Sequence, residues 1–435
     1  MGLKQLFAVC MLWLGMHAVP AFAEGVFIAA PSRVDMVYDD KRDLVYISSG
    51  TQVLRYQVAT ASFLQPIELG GDLSGIDLSP DGKTLAVADR SSNESQVWIH
   101  TIRLADMQVS RRVVGKEAGG YEDGTWTVSF AFDGSLYATS RFAGSGWVPM
   151  RRFDLATGAV SLLADVRQDT MLASSGDGKT IAFAEANISD GRWGLYDVPT
   201  GGIVRREGYE DGTSWFNYEI SADALGGQFA IPTYGGTYIY NEVYEHIATL
   251  GEYAGPQPIA AAYHPVEPLI FFPWAETREV RVYDSLTLQP VDSFDFEDDF
   301  QTTGNGAFAQ GRTRLSRDGS LLMVSVTGGV RILRMYAPLS ASPVSTVNDR
   351  KMKTVRLGGA IGNGGRLSYS IAAQPAHGRA MVHGNQAIYL QYGNYRGADS
   401  FRYRVHYGQA TAEAVVTVTA AAPVKALQQP ARRPR

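Results

Sequence analysis

Short stretches of alternating apolar and polar residues, separated by tight turns, run along most of this chain. The clearest unit is Asp77–Asp89, in which one apolar stretch ends before Ser79, a turn follows, and a second apolar stretch begins at Thr84. Within the turn, Pro80 presets φ for a bend and Gly82 accepts a positive φ without steric cost. The unit therefore predicts two paired β-strands, each with one buried face.

Seven versions of this turn recur along the chain. The third position of the turn falls at residues 40, 81, 133, 177, 223, 266 and 318, so successive turns are 41 to 52 residues apart. Such a period, with several short strands in each repeat, is typical of propeller blades. The spacing predicts an all-β fold with a seven-bladed β-propeller over residues 24–340. The last repeat is one strand short, and we predict that Gly25–Ala30 supplies this strand and closes the ring.

The turn Ser79–Lys83, read Ser-Pro-Asp-Gly-Lys and followed by an apolar strand, resembles the repeats of bacterial YVTN-type propellers. The resemblance covers residues 25–340, with the full motif at this turn and degenerate forms in the other repeats. That family and its neighbours include lactonases, quinoprotein and haem enzyme domains, and many binding proteins. The resemblance therefore implies the fold and leaves the chemistry open.

A second module follows a small, polar linker, Ser340–Pro343. We predict that residues 341–422 form this module. Within it, Val344–Thr419 resembles bacterial Ig-like or cadherin-like modules, and the resemblance rests on the patterns of Leu367–Ile371, Gln374–Gly378, Tyr395–Tyr403 and Ala414–Thr419. It implies a C-terminal Ig-like β-sandwich of the kind found in secreted and surface proteins.

One strand of this module alternates aromatic and basic residues. A period of two places Phe401 and Tyr403 on the core face and leaves Arg402 and Arg404 on the solvent face. Because residues 423–435 add a basic tail, an anionic surface polymer is one candidate partner. A solvated or propeller-facing basic stripe is the simpler interpretation.

Residues 1–23 have the features of a secretory signal peptide. Lys4 precedes an apolar run, and Ala21–Ala23 matches an Ala-x-Ala cleavage site. A membrane anchor is the alternative, but the apolar run is short for a span. The only cysteine, Cys10, lies inside this segment, which excludes disulfides, thiolate metal sites and covalently attached c-type haem from the mature chain. We predict a periplasmic or secreted protein without a transmembrane segment.

Charge is unequally divided along the chain. Residues 24–340 contain 25 Lys and Arg against 41 Asp and Glu, whereas residues 341–422 contain nine against three. An acidic propeller thus precedes a basic end, which suggests an anionic partner or docking of one half on the other. Nucleic acid is not an expected partner of an exported protein.

Two similar segments stand directly before inner strands, two blades apart. Gly120–Trp126 and Gly208–Trp215 share the run Gly-Tyr-Glu-Asp-Gly-Thr. In a propeller such connections surround the channel on one face, and aromatic rings beside carboxylates and arginines suit a sugar or a peptide. The alternative is that Trp126 and Trp215 pack between blades. We predict an acidic, aromatic mouth that binds a glycan or a protein through Tyr121, Glu122, Asp123, Trp126, Arg141, Trp193, Tyr209, Glu210, Asp211, Trp215 and Trp274.

Signals of catalysis are weaker. No histidines have metal-ligand spacing, and no nucleophile elbow, phosphate loop or dinucleotide fingerprint occurs. We predict no cofactor, with calcium at Glu122–Asp123 or Glu297–Asp299 as an alternative. The predicted function is a secreted or periplasmic binding or assembly protein. Two other functions stay open, a lactonase-like or carbohydrate-active propeller enzyme and a surface adhesion protein led by the Ig-like module.

Overall fold

The computed structural model describes residues 25–189, 191–206, 216–252, 255–296, 298, 300, 308, 312–335, 339–348, 351–361, 366–407 and 410–420. Over these residues the chain is all-β. Seven antiparallel four-stranded sheets form a propeller, and three further sheets form an Ig-like module. The fold predicted from the turn spacing and from the C-terminal pattern is confirmed.

Strand β1 (Val26–Ala29) comes first in the chain and belongs to the last blade. From the channel outward, blade one comprises β2 (Arg33–Asp39), β3 (Leu44–Ser49), β4 (Gln52–Gln57) and β5 (Ser62–Glu68). Blade two comprises β6 (Leu73–Leu78), β7 (Thr84–Asp89), β8 (Gln96–Arg103) and β9 (Gln108–Gly115). Blade three comprises β10 (Glu122–Phe130), β11 (Leu136–Phe142), β12 (Trp147–Phe153) and β13 (Val160–Arg167). A short 3-10 helix, Ala118–Gly120, precedes β10.

The remaining blades follow the same order. Blades four to six comprise β14 (Met171–Ser174), β15 (Thr180–Ala184), β16 (Trp193–Asp197), β17 (Gly202–Arg206); β18 (Ser221–Ala222), β19 (Gln228–Thr233), β20 (Gly236–Asn241), β21 (His246–Leu250); and β22 (Ala262–Tyr263), β23 (Leu269–Pro273), β24 (Glu279–Asp284), β25 (Pro290–Asp295). Blade seven comprises β26 (Thr313–Leu315), β27 (Leu321–Val326), β28 (Gly329–Arg334) and then β1 as its outermost strand.

The N-terminal strand closes the ring. β1 pairs antiparallel with β28, with Val26 opposite Ile332 and Ile28 opposite Val330. Ile28 is buried in the hydrophobic cluster between blades seven and one. The predicted closing strand is confirmed, and its pairing covers the edge that β28 would otherwise expose.

The hydrophobic cores lie between successive blades. Every residue of β6 and of β27 is buried, because a blade is covered on both of its faces. On β7, Leu85 and Val87 belong to the cluster shared with blade one, whereas Ala86 and Ala88 belong to the cluster shared with blade three. This two-sided burial explains why such strands are continuously apolar.

Side chains also join the inner strands of neighbouring blades, which belong to separate sheets. Asp35 Oδ2 accepts the main-chain N–H of Ile76 at 3.2 Å, and Asp77 Oδ2 accepts that of Phe130 at 2.8 Å. Acidic residues on the inner strands thus satisfy backbone donors of the next blade, where no strand partner exists.

Each blade has two edges that form the two faces of the propeller. The connections between blades and the loops between second and third strands form what we call the upper face. The turns between first and second strands, including Ser79–Lys83 and its relatives, form the lower face. Of the segment Gly120–Trp126, predicted to precede an inner strand, Glu122–Trp126 instead form the first part of β10, which begins at the upper face.

A buried carboxylate, Asp89, organises the upper edge of blade two. It accepts the Trp98 indole N–H at 2.7 Å and the Asp72 main-chain N–H at 2.9 Å, and it lies 2.9 Å from His100 Nε2. Burial by itself raises the pKa of Asp89, but hydrogen bonds from His100, Asp72, Ser91 and Trp98 hold it well below its usual range. The fold therefore stabilises the charged form.

Replacing Asp89 by asparagine is expected to lower the free energy of unfolding at neutral pH by about 2–4 kcal/mol, because the neutral amide offers weaker and fewer acceptors. Since the folded-state pKa of Asp89 is depressed, its contribution is present above the unfolded pKa of about 3.9 and is lost as the pH falls below that value. Denaturation curves from neutral to acidic pH should show the two proteins converging in stability. A constant difference would contradict the assignment.

The Ig-like module is a β-sandwich. Its strands are β29 (Ser340–Ser342), β30 (Val344–Asn348), β31 (Met352–Arg356), β32 (Gly358–Ala360), β33 (Ser368–Ala373), β34 (Gly378–His383), β35 (Gln386–Gln391), β36 (Asp399–Tyr407) and β37 (Ala410–Ala420). One sheet has the order β30-β37-β36-β33, the second has the order β31-β35-β34, and β29 pairs with β32. Phe401, Tyr403 and Val405 are buried in its core, which confirms the predicted alternation.

The module contacts the lower face of the propeller at blade six. The Tyr407 hydroxyl, at the end of β36, donates a hydrogen bond to Glu267 Oε1 at 3.3 Å. Glu267 lies in the turn between β22 and β23, and Tyr407 is buried. The contact places this end of the Ig-like sandwich beside a lower-face turn.

Candidate functional site

The structure distributes the predicted ligand-binding residues very unevenly between surface and interior. Tyr209, Glu210, Asp211 and Trp215 lie outside the described residues. Among the other seven, Tyr121 is 58% exposed, Asp123 and Arg141 are half-buried, and the remaining four are buried.

Glu122 is a structural residue at the start of β10. It is fully buried and forms a two-point ion pair with the equally buried Arg151, in which Arg151 Nη2 donates to Glu122 Oε2 at 2.8 Å. The same oxygen accepts the main-chain N–H of Glu117 at 2.9 Å. Its neighbour Asp123 accepts the Ser92 hydroxyl at 2.9 Å, so both carboxylates hold the connection between blades two and three.

Trp193 and Trp274 pack between blades. Trp193 is 1% exposed and contacts the rings of Tyr240 and Tyr244, with centroids 4.9 and 4.8 Å away. Trp274 is 7% exposed and lies beneath the Arg281 guanidinium, 4.4 Å from the ring centroid. Their rings are covered, so any aromatic platform for a ligand must come from other residues.

Exposed aromatic surface is present on the upper edge of blade three. Tyr121 stacks on Phe142 with centroids 5.4 Å apart and planes 16° from parallel. Trp147, at the start of β12, is half-buried, and the guanidinium groups of Arg167 and Arg192 lie over its ring at 4.6 and 5.1 Å from the centroid, so Tyr121 is the more exposed of the two rings. These rings border the same edge as Arg141, the residue directly before Phe142.

A group of polar atoms beneath this edge is buried without hydrogen-bond partners among the described residues. We call it the Arg141 cluster, and it comprises Arg90 Nε, Trp126 Nε1, Arg141 Nε and Asp169 Oδ1. Arg141 Nε lies 3.5 Å from Asp169 Oδ1 as an ion pair, and its guanidinium lies 5.8 Å from the Trp126 ring centroid. Buried polar atoms are nearly always satisfied in folded proteins, by protein, water or a ligand. The cluster therefore leaves the N–H groups of Arg90 Nε and Trp126 Nε1 to be satisfied by a further molecule, while Arg141 and Asp169 meet as an ion pair.

The negative charge of Asp169 is only partly compensated by its neighbours. It is 6% exposed, and its other oxygen accepts the Asn187 side-chain N–H at 2.9 Å. Burial raises the pKa of Asp169, and the hydrogen bond from Asn187 and the nearby Arg141 only partly oppose that rise. A hydroxyl group donated by a ligand would stabilise its charged form.

The channel of the propeller is crossed by ion pairs. Arg312 donates to Asp35 Oδ1 at 2.8 Å and to Glu219 Oε2 at 2.7 Å, and all three side chains are buried. The Arg312 guanidinium lies 5.0 Å from the Phe308 ring centroid, and Phe308 in turn packs edge-on against Trp126 at 5.0 Å. Below the Arg141 cluster a salt-bridge network therefore crosses the channel.

A cavity of about 190 Å³ lies in the channel toward the lower face. Its walls include Arg312, Arg314 and Glu219 together with the apolar side chains of Phe132 and Tyr263. Arg314 donates to the carbonyl oxygens of Ile76 and Met36 at 2.6 and 3.0 Å, so its charge also serves the packing of inner strands. None of the seven predicted ligand-binding residues that the structure describes lines this cavity.

The predicted basic stripe of the Ig-like module lies beside a carboxylate. Arg402 and Arg404 both face Glu413, with Arg404 Nη2 at 2.6 Å and Arg402 Nη1 at 3.5 Å from its carboxylate oxygens. Across the part of the chain that the structure describes, no cluster of three or more His, Cys, Asp or Glu side chains could hold a metal ion. In that same part no helix is long and apolar enough to cross a membrane.

The comparisons agree with this architecture. Residues 336–419 match the family model of the bacterial Ig domain. The C-terminal module is therefore similar to bacterial Ig domains. Among solved structures, the chain resembles Kuenenia stuttgartiensis hydrazine synthase, at 14% identity and TM-score 0.52, over 71% of this chain and 97% of that chain. It also resembles a chain of a mitotic checkpoint complex, at 13% identity and TM-score 0.54, over 76% of this chain and 99% of that chain.

These structural neighbours show the β-propeller fold alone, because their identity to this chain is low. No curated protein has significant sequence similarity to the chain. None of these comparisons assigns a ligand, so the evidence for the site is the geometry of the propeller and its upper face.

The sequence analysis missed two parts of the molecule, the channel network and the role of Asp169. A signal for the network was present. Asp35, Asp77, Glu219 and Arg314 each stand four or five residues before the third position of a lower-face turn, so aligning the repeats would have placed them together in the channel. Asp169 has no such signal, because it lies in a connection between blades.

Proposed function

We propose that this protein is a binding protein of the bacterial periplasm or exterior, without catalytic activity of its own, which holds a glycan or protein ligand on the upper face of its propeller. The observation that carries the proposal is the Arg141 cluster, in which Arg90 Nε and Trp126 Nε1 are buried without a hydrogen-bond partner among the described residues, beside the 3.5 Å ion pair of Arg141 with Asp169. Exposed rings beside the cluster add apolar contact area, and this combination suits an amphipathic ligand.

The predicted residues take different parts in this site. Arg141 and Trp126 donate hydrogen bonds to the ligand and Tyr121 stacks on it, while Asp123 borders it. Glu122 positions the connection through Arg151. Trp193 and Trp274 pack between blades, and Tyr209, Glu210, Asp211 and Trp215, which lie outside the described residues, stay predicted ligand-binding residues.

The signal peptide over residues 1–23, the domain limits at 340 and 422 and the basic tail over residues 423–435 remain part of the proposal. Export follows from the N-terminal pattern, and the Ig-like domain is compatible with it. The adhesion function gains no support from Arg402 and Arg404, because Glu413 neutralises part of their charge.

Replacing Arg141 by glutamine tests the site. We expect the variant to fold normally, because the Arg141 side chain is 38% exposed, and to lose at least about tenfold in affinity for the ligand, as expected for a charged hydrogen bond. Calorimetric titration against a panel of glycans and against envelope proteins of the source bacterium measures this. Arg103→Gln, an exposed arginine paired with Asp106 on the lower edge of blade two, is the matched control. Equal affinity of both variants would place the ligand elsewhere.

A further inference from the structure

One sheet of the Ig-like module is apolar on the face that points away from the core. Tyr389 of the central strand β35 is buried in the core, so Ile388 and Leu390 on either side of it face outward. The register aligns Met381 of β34 with Ile388, and Met352 of β31 with Leu390. Both methionines are exposed, Met352 to 56%. We call the surface formed by these four apolar side chains the outer sheet face.

The rim of the outer sheet face is basic. Arg379 lies opposite Leu390 and Arg356 lies opposite Gln386, and both arginines are exposed. Residues 350–398, which include all three strands of this sheet, contain seven Lys and Arg and no Asp or Glu. The surface therefore suits a partner that presents apolar groups among carboxylates.

A surface of that character is present on the propeller, at the lower edges of blades five and six. The turns between third and fourth strands lie on the lower face with those between first and second strands, because antiparallel strands reverse direction at each turn. In these two blades they expose Val243, Leu225 and Leu286, the two leucines to 76% and 79%. No Lys or Arg stands in these turns. The acidic residues in or directly beside them are Asp223, Glu242, Glu245, Glu267 and Asp284.

The Ig-like module of the same chain leaves the apolar tips of these acidic turns uncovered. It reaches the lower face through Tyr407, at the end of β36, which donates to a turn of blade six. With the module in place, Leu225 and Leu286 stay exposed, and so does Met352 on the outer sheet face. The basic tail over residues 423–435 contains no Asp or Glu, so it would be repelled by the outer sheet face. Both surfaces are therefore left for a partner outside the chain.

We propose that the outer sheet face of one copy of this protein docks on the acidic turns of a second copy. Apolar side chains of the two surfaces pack together at the centre of the contact, and the arginines of the sheet pair with carboxylates of the turns at its rim. Because the two surfaces differ, the contact is head to tail, and repeating it gives a ring or a filament. The lower face lies opposite the upper face, so the proposed ligand site stays open in such an assembly.

Sedimentation velocity of the chain without residues 1–23 measures the association. We expect the weight-average mass of the wild type to rise above that of one chain as protein concentration rises, and to fall again as salt is added. The double variant Met352→Glu, Met381→Glu should weaken self-association at least about tenfold, because it sets carboxylates against the acidic turns. Val415→Glu changes an exposed residue on the other sheet of the module, and this matched control should associate as the wild type does.

A second set of variants tests the propeller surface. The double variant Leu225→Ser, Leu286→Ser removes apolar contact area from the acidic turns and should also weaken self-association by about tenfold. Leu162→Ser, at an exposed leucine on the rim of blade three, is its control and should have no such effect. An equal mixture of the methionine and leucine double variants should form a complex of two chains and no larger species, because each variant keeps one intact surface. Thermal melting checks that each variant folds.

Three results would overturn the proposal. One is a protein that is monomeric at every concentration, including one that instead binds vesicles of phosphatidylglycerol through the outer sheet face. Another is self-association that survives either double variant. The third is a mixture of the double variants that fails to form the two-chain complex, which would mean that the two surfaces do not meet.

Discussion

Replacing Arg312 by methionine is expected to destabilise the propeller by about 3–5 kcal/mol, because it leaves two buried carboxylates without their shared cation. Arg312 links Asp35 of blade one to the blade-five residue Glu219 at 2.8 and 2.7 Å, and each of the three side chains is less than a tenth exposed. Burial alone raises the pKa of Asp35, and Arg312 and Arg314 bring it below its usual value. Without the arginine that compensation is reduced.

Urea denaturation of the full chain measures this effect. The loss in Arg312→Met should shrink as the pH falls, since protonation removes the unpaired negative charges. The triple variant Asp35→Asn, Glu219→Gln, Arg312→Met should regain much of the stability, because a neutral set needs no cation. Arg103→Met, an exposed arginine with an exposed partner, should unfold as wild type does. A single variant as stable as wild type would show that the network does not hold the channel together.

Removing residues 24–30 is expected to destabilise the whole propeller by about 5 kcal/mol or more, because it opens the ring and exposes the edge of β28. The deletion removes the four residue pairs between β1 and β28 and two side chains that are almost fully buried, Ile28 and Ala30. The hydrophobic cluster between blades seven and one loses part of its cover.

Differential scanning calorimetry of the deletion variant checks this expectation, and two point variants separate closure from general damage. Ile28→Ala should cost about 2–5 kcal/mol, as for other buried large-to-small changes, whereas Phe27→Ala should cost far less, since Phe27 is 43% exposed. Melting of the deletion variant at the wild-type temperature would mean that the ring does not depend on its closing strand.

Local patterns predicted much of the fold because they are repeated local events. The lower-face turns carry residues suited to tight bends, among them Pro80, Gly82 and Asp43, so one turn per blade reveals the blade count. The alternation of Phe401 and Tyr403 with arginines predicted the buried face of β36 for the same reason. These features depend on neighbours in the chain.

The upper face shows where this reasoning stops. Glu122 and Asp123 are adjacent and chemically alike, yet Glu122 is sealed against Arg151 while Asp123 stays half-buried beside Ser92. Trp193 was a plausible exposed ring, and it is covered by tyrosines of the following blade. Burial here depends on which blade comes next and how closely it packs, and no local sequence pattern predicts how close that packing is.

Turn chemistry and strand alternation in the amino-acid order were enough to reveal seven blades, a closing N-terminal strand and a C-terminal β-sandwich. Which charged side chains form ion pairs depends on the closure of the ring. Arg312 pairs with Asp35, 277 residues away in the sequence, and with Glu219, 93 residues away, because inner strands of distant blades converge on one channel. The ion pair of Arg141 with Asp169 and the unsatisfied N–H of Trp126 arise in the same way, since position around the ring, and not separation along the chain, brings polar groups together.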